Sequence, residues 1–460
     1  MSRLGVDMGG SLVLSAVGQA DDTVLLSNDI NKLMLIFQLA KNYCLKYNVQ
    51  LSSSKTKLLK ISPSKHETIV PFNPISMDGS EVKFVDQAEH VGVIRSTDGN
   101  MPNILQRLRS FKQALGSVIS CGLARGHRSN PTASLRILSM YGTPRLLSGL
   151  PSLVLSAKEI SIVDQQYKRT LQSIMKLAVN SPPCLVHFLA GSLPGTAILH
   201  LRQLSLFVMI CLLPGDPLHD QAIQVLLTSP SSSGSWFLQV RNLMLQYQLP
   251  HPLLLLTNPP NKKSCKHLIK SKVLDFWETK LRASFLPSLP YFQPQYLSLN
   301  SPHRLWTSAG VKSYEVAKAR VQALFLSCQY PCAKLARHWS LTNPRGLCLY
   351  PRCHEQQEVE SIEHILLYCP AYKQTRVKLI SLCLRTKNHT THKIVTNILL
   401  SGSETKIMQL LLDCSVIPDV ISLAQLYGED LYRDIFYLGR TWCYSIYRDH
   451  MKRLGKWNFR

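Results

Sequence analysis

Between residues 10 and 27 an apolar segment, a polar break and a second apolar segment follow one another. This is the pattern of a β-hairpin with Gln19 to Asp22 near its turn. From Asn31 to Tyr47 the apolar positions Leu33, Leu35, Ile36, Leu39, Ala40, Tyr43 and Cys44 mostly recur at spacings of three and four, which predicts a helix packed back on that hairpin. Lys55, Thr56 and Lys57 lead into another strand, Leu58 to Ile61, and Ile75 to Ile94 reads as a further hairpin turning at Asp78-Gly79. After Asn100 the period changes. Ile104 to Ala124 and Ile160 to Ala178 carry helical spacing with Arg and Lys interspersed, so a helical domain is expected there. Residues 229 to 234 (Ser-Pro-Ser-Ser-Ser-Gly) and 258 to 261 (Asn-Pro-Pro-Asn) are linker-like by composition. A helix is expected over Tyr314 to Ser327, a compact Cys/His cluster occupies 348 to 369, and two or three helices close the chain. No internal repeat is present.

Composition narrows the class. A chain of 460 residues with 45% hydrophobic content is expected to be a packed globular protein rather than a disordered one. Its formal net charge of +24, from 52 Lys plus Arg against 28 Asp plus Glu, attracts polyanions and favours nucleic acid over anionic membrane as a partner. The longest clean apolar run, Leu206 to Leu213, falls far short of the ~18 residues a membrane span requires. The brief apolar stretch Leu12 to Val17, approached past Asp7, does not make a secretory signal. Thirteen cysteines scattered over the whole length point to a reducing compartment, nucleus or cytoplasm, rather than to a secreted disulfide framework. Lys262, Lys263, Lys266, Lys270, Lys272, Lys280 and Arg282 face only Asp275 and Glu278 in their segment, which reads either as a solvated helix face or as nucleic-acid contact.

Cys348, Cys353, His364 and Cys369 form the spacing Cys-x4-Cys-x10-His-x4-Cys. Three thiolates and one imidazole suit tetrahedral Zn²⁺ with no position left open for substrate, so a structural site is expected. The first pair flanks Pro351 in a turn, while Glu358 to Tyr368 is helix-like, with Ile362, Ile365 and Leu366 on one side. On an unbroken α-helix a spacing of five would splay His364 and Cys369 by about 140°. Pro370 implies that the helix ends at Cys369, which lets the thiol turn back. His354 competes with His364 but adjoins Cys353, and Cys328 with Cys332 forms a competing pair that reads more readily as core.

The remaining candidate is the pair Asp21-Asp22. Acidic residues in turns usually serve local hydrogen bonding. Here they stand in a longer order: apolar strand, x-Ala-Asp-Asp, a second strand, a helix, then Lys55-Thr56. That order resembles the second half of the palm of reverse transcriptases from non-LTR retrotransposons, whose motif is aromatic-x-Asp-Asp. The Cys/His cluster resembles the carboxy-terminal zinc-binding segment of many proteins of that family.

The resemblance implies an α+β chain: a partial palm over 1–100, a helical thumb-like region over 101–225, a linker and basic helical connector over 226–345, the zinc-binding segment over 346–372 and C-terminal helices over 373–460. It implies RNA-directed DNA polymerase chemistry, in which two Mg²⁺ ions held by carboxylates bridge the primer hydroxyl and the triphosphate. Asp21 would be the magnesium-ligating aspartate, Asp22 its supporting neighbour, and Lys55 the lysine near the leaving pyrophosphate. Arg107, Arg109, Lys112, Arg125, Arg128 and Arg136 would grip the backbone of an RNA template and DNA primer. The same residues read equally as the polar face of ordinary helices. Two departures stand out. Gln19 occupies the family's aromatic position, and Asp7 is the only acidic residue before Asp21, where the family draws a third metal-binding carboxylate from a strand far upstream. The chain is therefore expected to correspond to the carboxy-terminal portion and to be inactive, or nearly so, in isolation. The alternative is a non-enzymatic zinc-containing RNA- or DNA-binding protein derived from such an element.

Overall fold

The computed structural model describes residues 4–7, 13–61, 76–77, 80–97, 99–120, 129–230, 234–285, 289–336, 343–386 and 388–455. The protein is mainly helical with few short strands, a coarse α+β mixture in which every named strand precedes Thr97. The chain divides into two units. One comprises Met1–Lys112, Pro144–Val163 and Thr196–Val273, the other Gln113–Thr143, Asp164–Gly195 and Leu274–Arg460.

In the first unit the expected hairpin forms as Ala16–Gln19 against Asp22–Leu25, with Gln19 opposite Asp22 and a two-residue turn at Ala20-Asp21. The shorter pair Val6–Asp7 and Val13–Leu14 precedes it, so the apolar stretch before Gln19 serves two pairings rather than one. Helix Ile30–Lys46 follows, capped by the Asp29 carboxylate, which accepts the Asn31 and Lys32 N–H groups at 2.7 and 3.1 Å. The expected helix is present, but its apolar surface is wider than the face it buries. Ile30, Leu33, Met34 and Phe37 pack around Leu58 and Val82, whereas Leu35 and Tyr43 are 56% and 63% exposed.

The strand expected to reach Ile61 stops at Leu58, where Lys57–Leu58 pairs in parallel with Lys83–Phe84. The region from Ile75 to Ile94 holds two pairings in place of one hairpin. Ser76–Met77 meets Ser80–Glu81, with Asp78-Gly79 lying outside the described residues, and Gln87–His90 meets Val93–Ser96. The second of these turns through Val91-Gly92, both with positive φ (51° and 73°), the twist that a tight hairpin requires. Asn103 of helix Met101–Ser120 clamps it, accepting from the Ile94 N–H at 2.7 Å and donating to the Ile94 carbonyl at 2.6 Å.

Further along the same unit, helices Pro217–Thr228, Trp236–Gln246 and Pro252–Thr257 pack together. The second linker-like stretch leads into helix Lys262–Ala283, of which only the part up to Val273 belongs to this unit. On that last helix Cys265, Ile269, Val273, Trp277 and Leu281 are buried, while Lys262, Lys263, Lys266 and Lys270 are exposed. Among the described residues no single helix is long and apolar enough to cross a membrane.

The second unit is organised around helix Glu429–Arg453, against which Ser313–Leu326, Lys373–Leu384, His389–Ser401, Glu404–Leu412 and Pro418–Tyr427 pack. Its inner face is Leu431, Ile435, Phe436, Trp442, Cys443 and Ile446. A Cβ at Gly439 would lie 2.5 Å from the Leu411 carbonyl oxygen, so the close approach there needs glycine. That same carbonyl accepts the Gln322 amide at 2.7 Å. Five helices follow the Cys/His cluster among the described residues, where two or three were expected. Short capping breaks divide what reads as continuous periodicity: Asn388 accepts from Thr390 and Thr391, Ser403 accepts from Lys406, and Pro418 starts the next helix.

The buried carboxylate of Asp413 is paired in this unit. Asp413 accepts from Ser415 Oγ at 2.6 Å and from His303 Nε2 at 3.1 Å. The His303 tautomer is fixed because Nδ1 accepts the Leu305 N–H at 3.1 Å, which leaves the proton on Nε2. His187 is buried as well, with Nδ1 3.0 Å from the Ser192 carbonyl oxygen that accepts its proton. Burial pushes the His187 pKa down from 6.5 to about 4, with Asp164 opposing and Lys168 adding to the shift.

Two measurements follow. Val91 is 50% exposed yet β-branched in the left-handed region, so Val91→Asn should relieve strain without losing packing and stabilise the chain by about 1 kcal/mol. An unchanged or lowered urea midpoint would contradict this. His187 stays neutral in the fold while the unfolded chain takes up a proton first. Its contribution is therefore full above pH 6.5 and falls by about 3 kcal/mol as the pH drops toward 4. Denaturation profiles of His187→Asn, which keeps a donor to Ser192 but does not titrate, should be flatter across that window by this amount.

Candidate metal centre

The centre is built from three short pieces of the second unit. Leu347 and Val359 form an antiparallel bridge, closed on either side by Cys348 N–H to the Glu358 carbonyl (2.8 Å) and Glu360 N–H to the Gly346 carbonyl (2.9 Å). Between them Pro351 starts the short helix Pro351–Glu355, and the Glu358 N–H returns to the Cys353 carbonyl at 3.0 Å. This loop brings Cys348 and Cys353 to one side. The stretch read as helix from Glu358 begins only at Ile362, because Glu358 to Glu360 are taken up by the bridge.

The helical segment then solves the spacing of His364 and Cys369 by a route that ordinary periodicity does not provide. Residues His364–Tyr368 form a π-helical turn, closed by the Cys369 N–H donating to the His364 carbonyl at 2.6 Å. A turn closed at i→i+5 brings the fifth residue closer to lying over the first, so the splay expected on an α-helix is much reduced.

The resulting donor set is compact and dry. All four residues are buried, and their ligand atoms lie within 4.8 Å of one another. Cys369 Sγ stands 3.9 Å from Cys348 Sγ and 4.0 Å from Cys353 Sγ. Those distances are far beyond a disulfide bond of ~2.05 Å and close to the ~3.8 Å edge of a tetrahedron with Zn–S bonds of ~2.3 Å. His364 Nε2 is buried with no hydrogen-bond partner, an unmet polar atom that a metal would satisfy. Its Nδ1 lies 4.0 Å from the Glu358 carboxylate, beyond hydrogen-bond distance. The hydrogen bond from Cys348 holds the Cys369 thiol well below the ordinary thiol range, and the same bond together with burial pushes Cys348 up. The donor chemistry fits a structural zinc ion and leaves no open position for catalysis.

A second layer of contacts fixes the centre to the surrounding helices. Arg376 donates to the Cys369 carbonyl at 2.7 Å, and Trp442 Nε1 to the Leu366 carbonyl at 3.3 Å. Glu360 accepts the Ala333 N–H at 2.9 Å and lies 3.1 Å from His450 Nε2, whose Nδ1 lies 2.5 Å from the Tyr330 hydroxyl. The Glu360 carboxylate accepts the Nε2–H, and burial pushes the Tyr330 pKa up, so that its hydroxyl stays protonated against the ring. Nothing in the sequence marks this Glu360–His450–Tyr330 chain, because its members are brought together only by tertiary packing. His354 is exposed, and the competing pair Cys328 and Cys332 stands outside the donor set.

The other sequence candidates lie elsewhere. Asp21 is in the turn of the first hairpin and Asp22 begins its second strand, both exposed. Lys55 is exposed in the turn before Lys57–Leu58. Among the described residues no ion pair joins Lys55 to either carboxylate, and the Cys/His set is the one group of three or more metal-capable side chains. Arg109 and Lys112 are exposed on helix Met101–Ser120, and Arg136 is exposed on Pro131–Ile137. Arg107 is half-buried and its guanidinium donates to the Gly92 carbonyl, so it braces the second hairpin. Arg125 and Arg128 lie outside the described residues.

Loss of one ligand should release the metal. Cys369→Ser or His364→Ala is expected to lower zinc from about one ion per chain to a small fraction and to lower the melting temperature, as chelation of the wild type should. Cys328→Ser, outside the set, should retain zinc. Equal zinc content in Cys369→Ser and the wild type would contradict the assignment. No protein family, curated protein or solved structure matches the chain.

Proposed function

We propose that the chain is a portion of a non-LTR retrotransposon reverse transcriptase: the end of a palm, a helical thumb-like region and a carboxy-terminal zinc-binding segment. The observation that carries this reading is the placement of Asp21 and Asp22 at the tip of an antiparallel hairpin followed by helix Ile30–Lys46, which packs against the strand Asp22–Leu25. A rigid tip is what two-metal nucleotidyl transfer needs, because carboxylate oxygens must meet Mg²⁺ without reorganisation. The four-ligand centre, farther along the same chain, supports the reading through its order relative to the hairpin.

In this reading Asp21 holds Mg²⁺, Asp22 supports it and Lys55 stands near the triphosphate, while Arg109, Lys112 and Arg136 contact template and primer phosphates. No third metal-capable side chain joins the carboxylate pair among the described residues. A metal pair held by two carboxylates alone lacks charge stabilisation, so the chain by itself is expected to be nearly inactive.

The second reading is a non-enzymatic nucleic-acid-binding protein that keeps the zinc segment and the basic helices. It is favoured by the net charge of +24 and by the exposed row Lys262, Lys263, Lys266 and Lys270.

Primer extension with purified chain, an RNA template, a DNA primer and Mg²⁺ or Mn²⁺ tests these readings. Extension no greater than that of Asp21→Asn is expected. Extension abolished by Asp21→Asn would overturn the inactivity and strengthen the polymerase reading. RNA or DNA affinity that falls steeply with salt and is unchanged in Asp21→Asn and Asp22→Asn would favour the second reading.

A further inference from the structure

Helices Ser313–Leu326 and Glu429–Arg453 carry an aromatic surface that the metal centre does not use. Tyr314 and Tyr437 are 55% and 41% exposed. Between them sits the Lys318 ammonium, 4.5 Å from the centre of the Tyr314 ring and 5.1 Å from that of Tyr437. The Arg440 guanidinium lies 5.4 Å from the Tyr437 ring centre. Both cations are buried and held by Glu315, at 2.8 Å from Lys318 and 2.7 Å from Arg440, and Lys318 also donates to Thr441. Tyr444 meets Tyr314 edge to face at 5.5 Å, and Tyr447 lies 6.3 Å beyond Tyr444. The row therefore runs Tyr437, Tyr314, Tyr444, Tyr447.

Cations held in place beside the rings have two physical consequences. They fix the ring positions, so a partner that stacks on them removes little further side-chain freedom. They also draw electron density toward themselves, which makes the rings better partners for electron-rich nucleobases. The rim supplies the charge for a polyanion. Arg448 and Lys452 are exposed beyond Tyr444 on the same helix, with Arg448 in a loose 3.5 Å pair with Asp449, and exposed Lys312 precedes Tyr314. Asp434, which accepts from Asn388 at 3.4 Å, lies one turn before Tyr437 and makes that end less favourable to phosphate.

We propose that Tyr437, Tyr314, Tyr444 and Tyr447, with Arg448, Lys452 and Lys312 at the rim, form a stacking platform for single-stranded nucleic acid. Bases in a duplex cover their own faces, so single strands are the form that can use the rings. The platform is independent of the polymerase reading, since neither Asp21 nor any step of nucleotide addition enters it.

Fluorescence anisotropy of a labelled oligothymidylate with the zinc-loaded full chain tests the platform, with a blunt duplex and phosphatidylserine vesicles measured at the same salt. Replacing Tyr314 and Tyr437 together by Ala should weaken oligothymidylate binding at least about tenfold, while Tyr314→Phe with Tyr437→Phe retains it. Duplex and vesicle binding should change little in either pair of variants. Unchanged affinity in the Ala pair, an equal loss in the Phe pair, or an equal loss for duplex or vesicles would overturn the proposal. A measurement on the unaltered chain guards against misfolded variants. Irradiation with an oligonucleotide carrying 5-iodouracil should crosslink to Tyr314 or Tyr437, and crosslinks confined to other regions would overturn it equally.

Discussion

Three thiols and an imidazole gathered within 4.8 Å, away from water, cannot be left as they are. The sulfurs are too far apart to bond and too close to carry charge together, and the histidine nitrogen among them has no partner. A cation at their centre meets both demands, and burial excludes the water that would otherwise do so. Much of the second unit hangs on this constraint. Cys369 is held by Arg376, Leu366 by Trp442, and Glu360 by His450, and the last two contacts end on helix Glu429–Arg453. That helix is also the one against which the other C-terminal helices pack. The Cys/His cluster, the bridge and the long helix thus form a single chain of contacts.

The chemistry of the centre limits what can be assigned to it. Four protein ligands would leave no place for water or substrate, so a metal held there would contribute to folding. The nucleotidyl-transfer chemistry proposed above belongs instead to the hairpin tip of the first unit, where Asp21 and Asp22 are exposed. The C-terminal helices instead offer surface. In the Glu315, Lys318 and Arg440 network one carboxylate offsets one of two positive charges while the cations fix two tyrosine rings at the surface. One buried ionic cluster therefore both joins two helices and organises what they present outward.

Spacing rules that act locally were legible in the sequence. The gathering of Cys348, Cys353, His364 and Cys369, the helix Ile30–Lys46 and the position of the first turn follow from residue order alone. What was not legible depends on partners distant in sequence or on uncommon backbone. The π turn at His364–Tyr368 has no periodic signature, because it differs from an α-helix by one residue. Val91 conceals a left-handed turn, since a β-branched residue argues against one. The buried face of the first helix was misplaced because Leu35 and Tyr43 look like core but face solvent. Arg107 looked like a phosphate ligand, yet its partner is a carbonyl in a hairpin whose turn the sequence did not reveal.

Cys348, Cys353, His364 and Cys369 are expected to enclose one zinc ion, with the second unit assembled around it. X-ray absorption at the zinc edge on the purified full chain tests this most directly. A shell of about three sulfurs at ~2.3 Å and one nitrogen at ~2.0–2.1 Å is expected. A shell of oxygen and nitrogen alone, or a folded chain that binds no zinc, would contradict it.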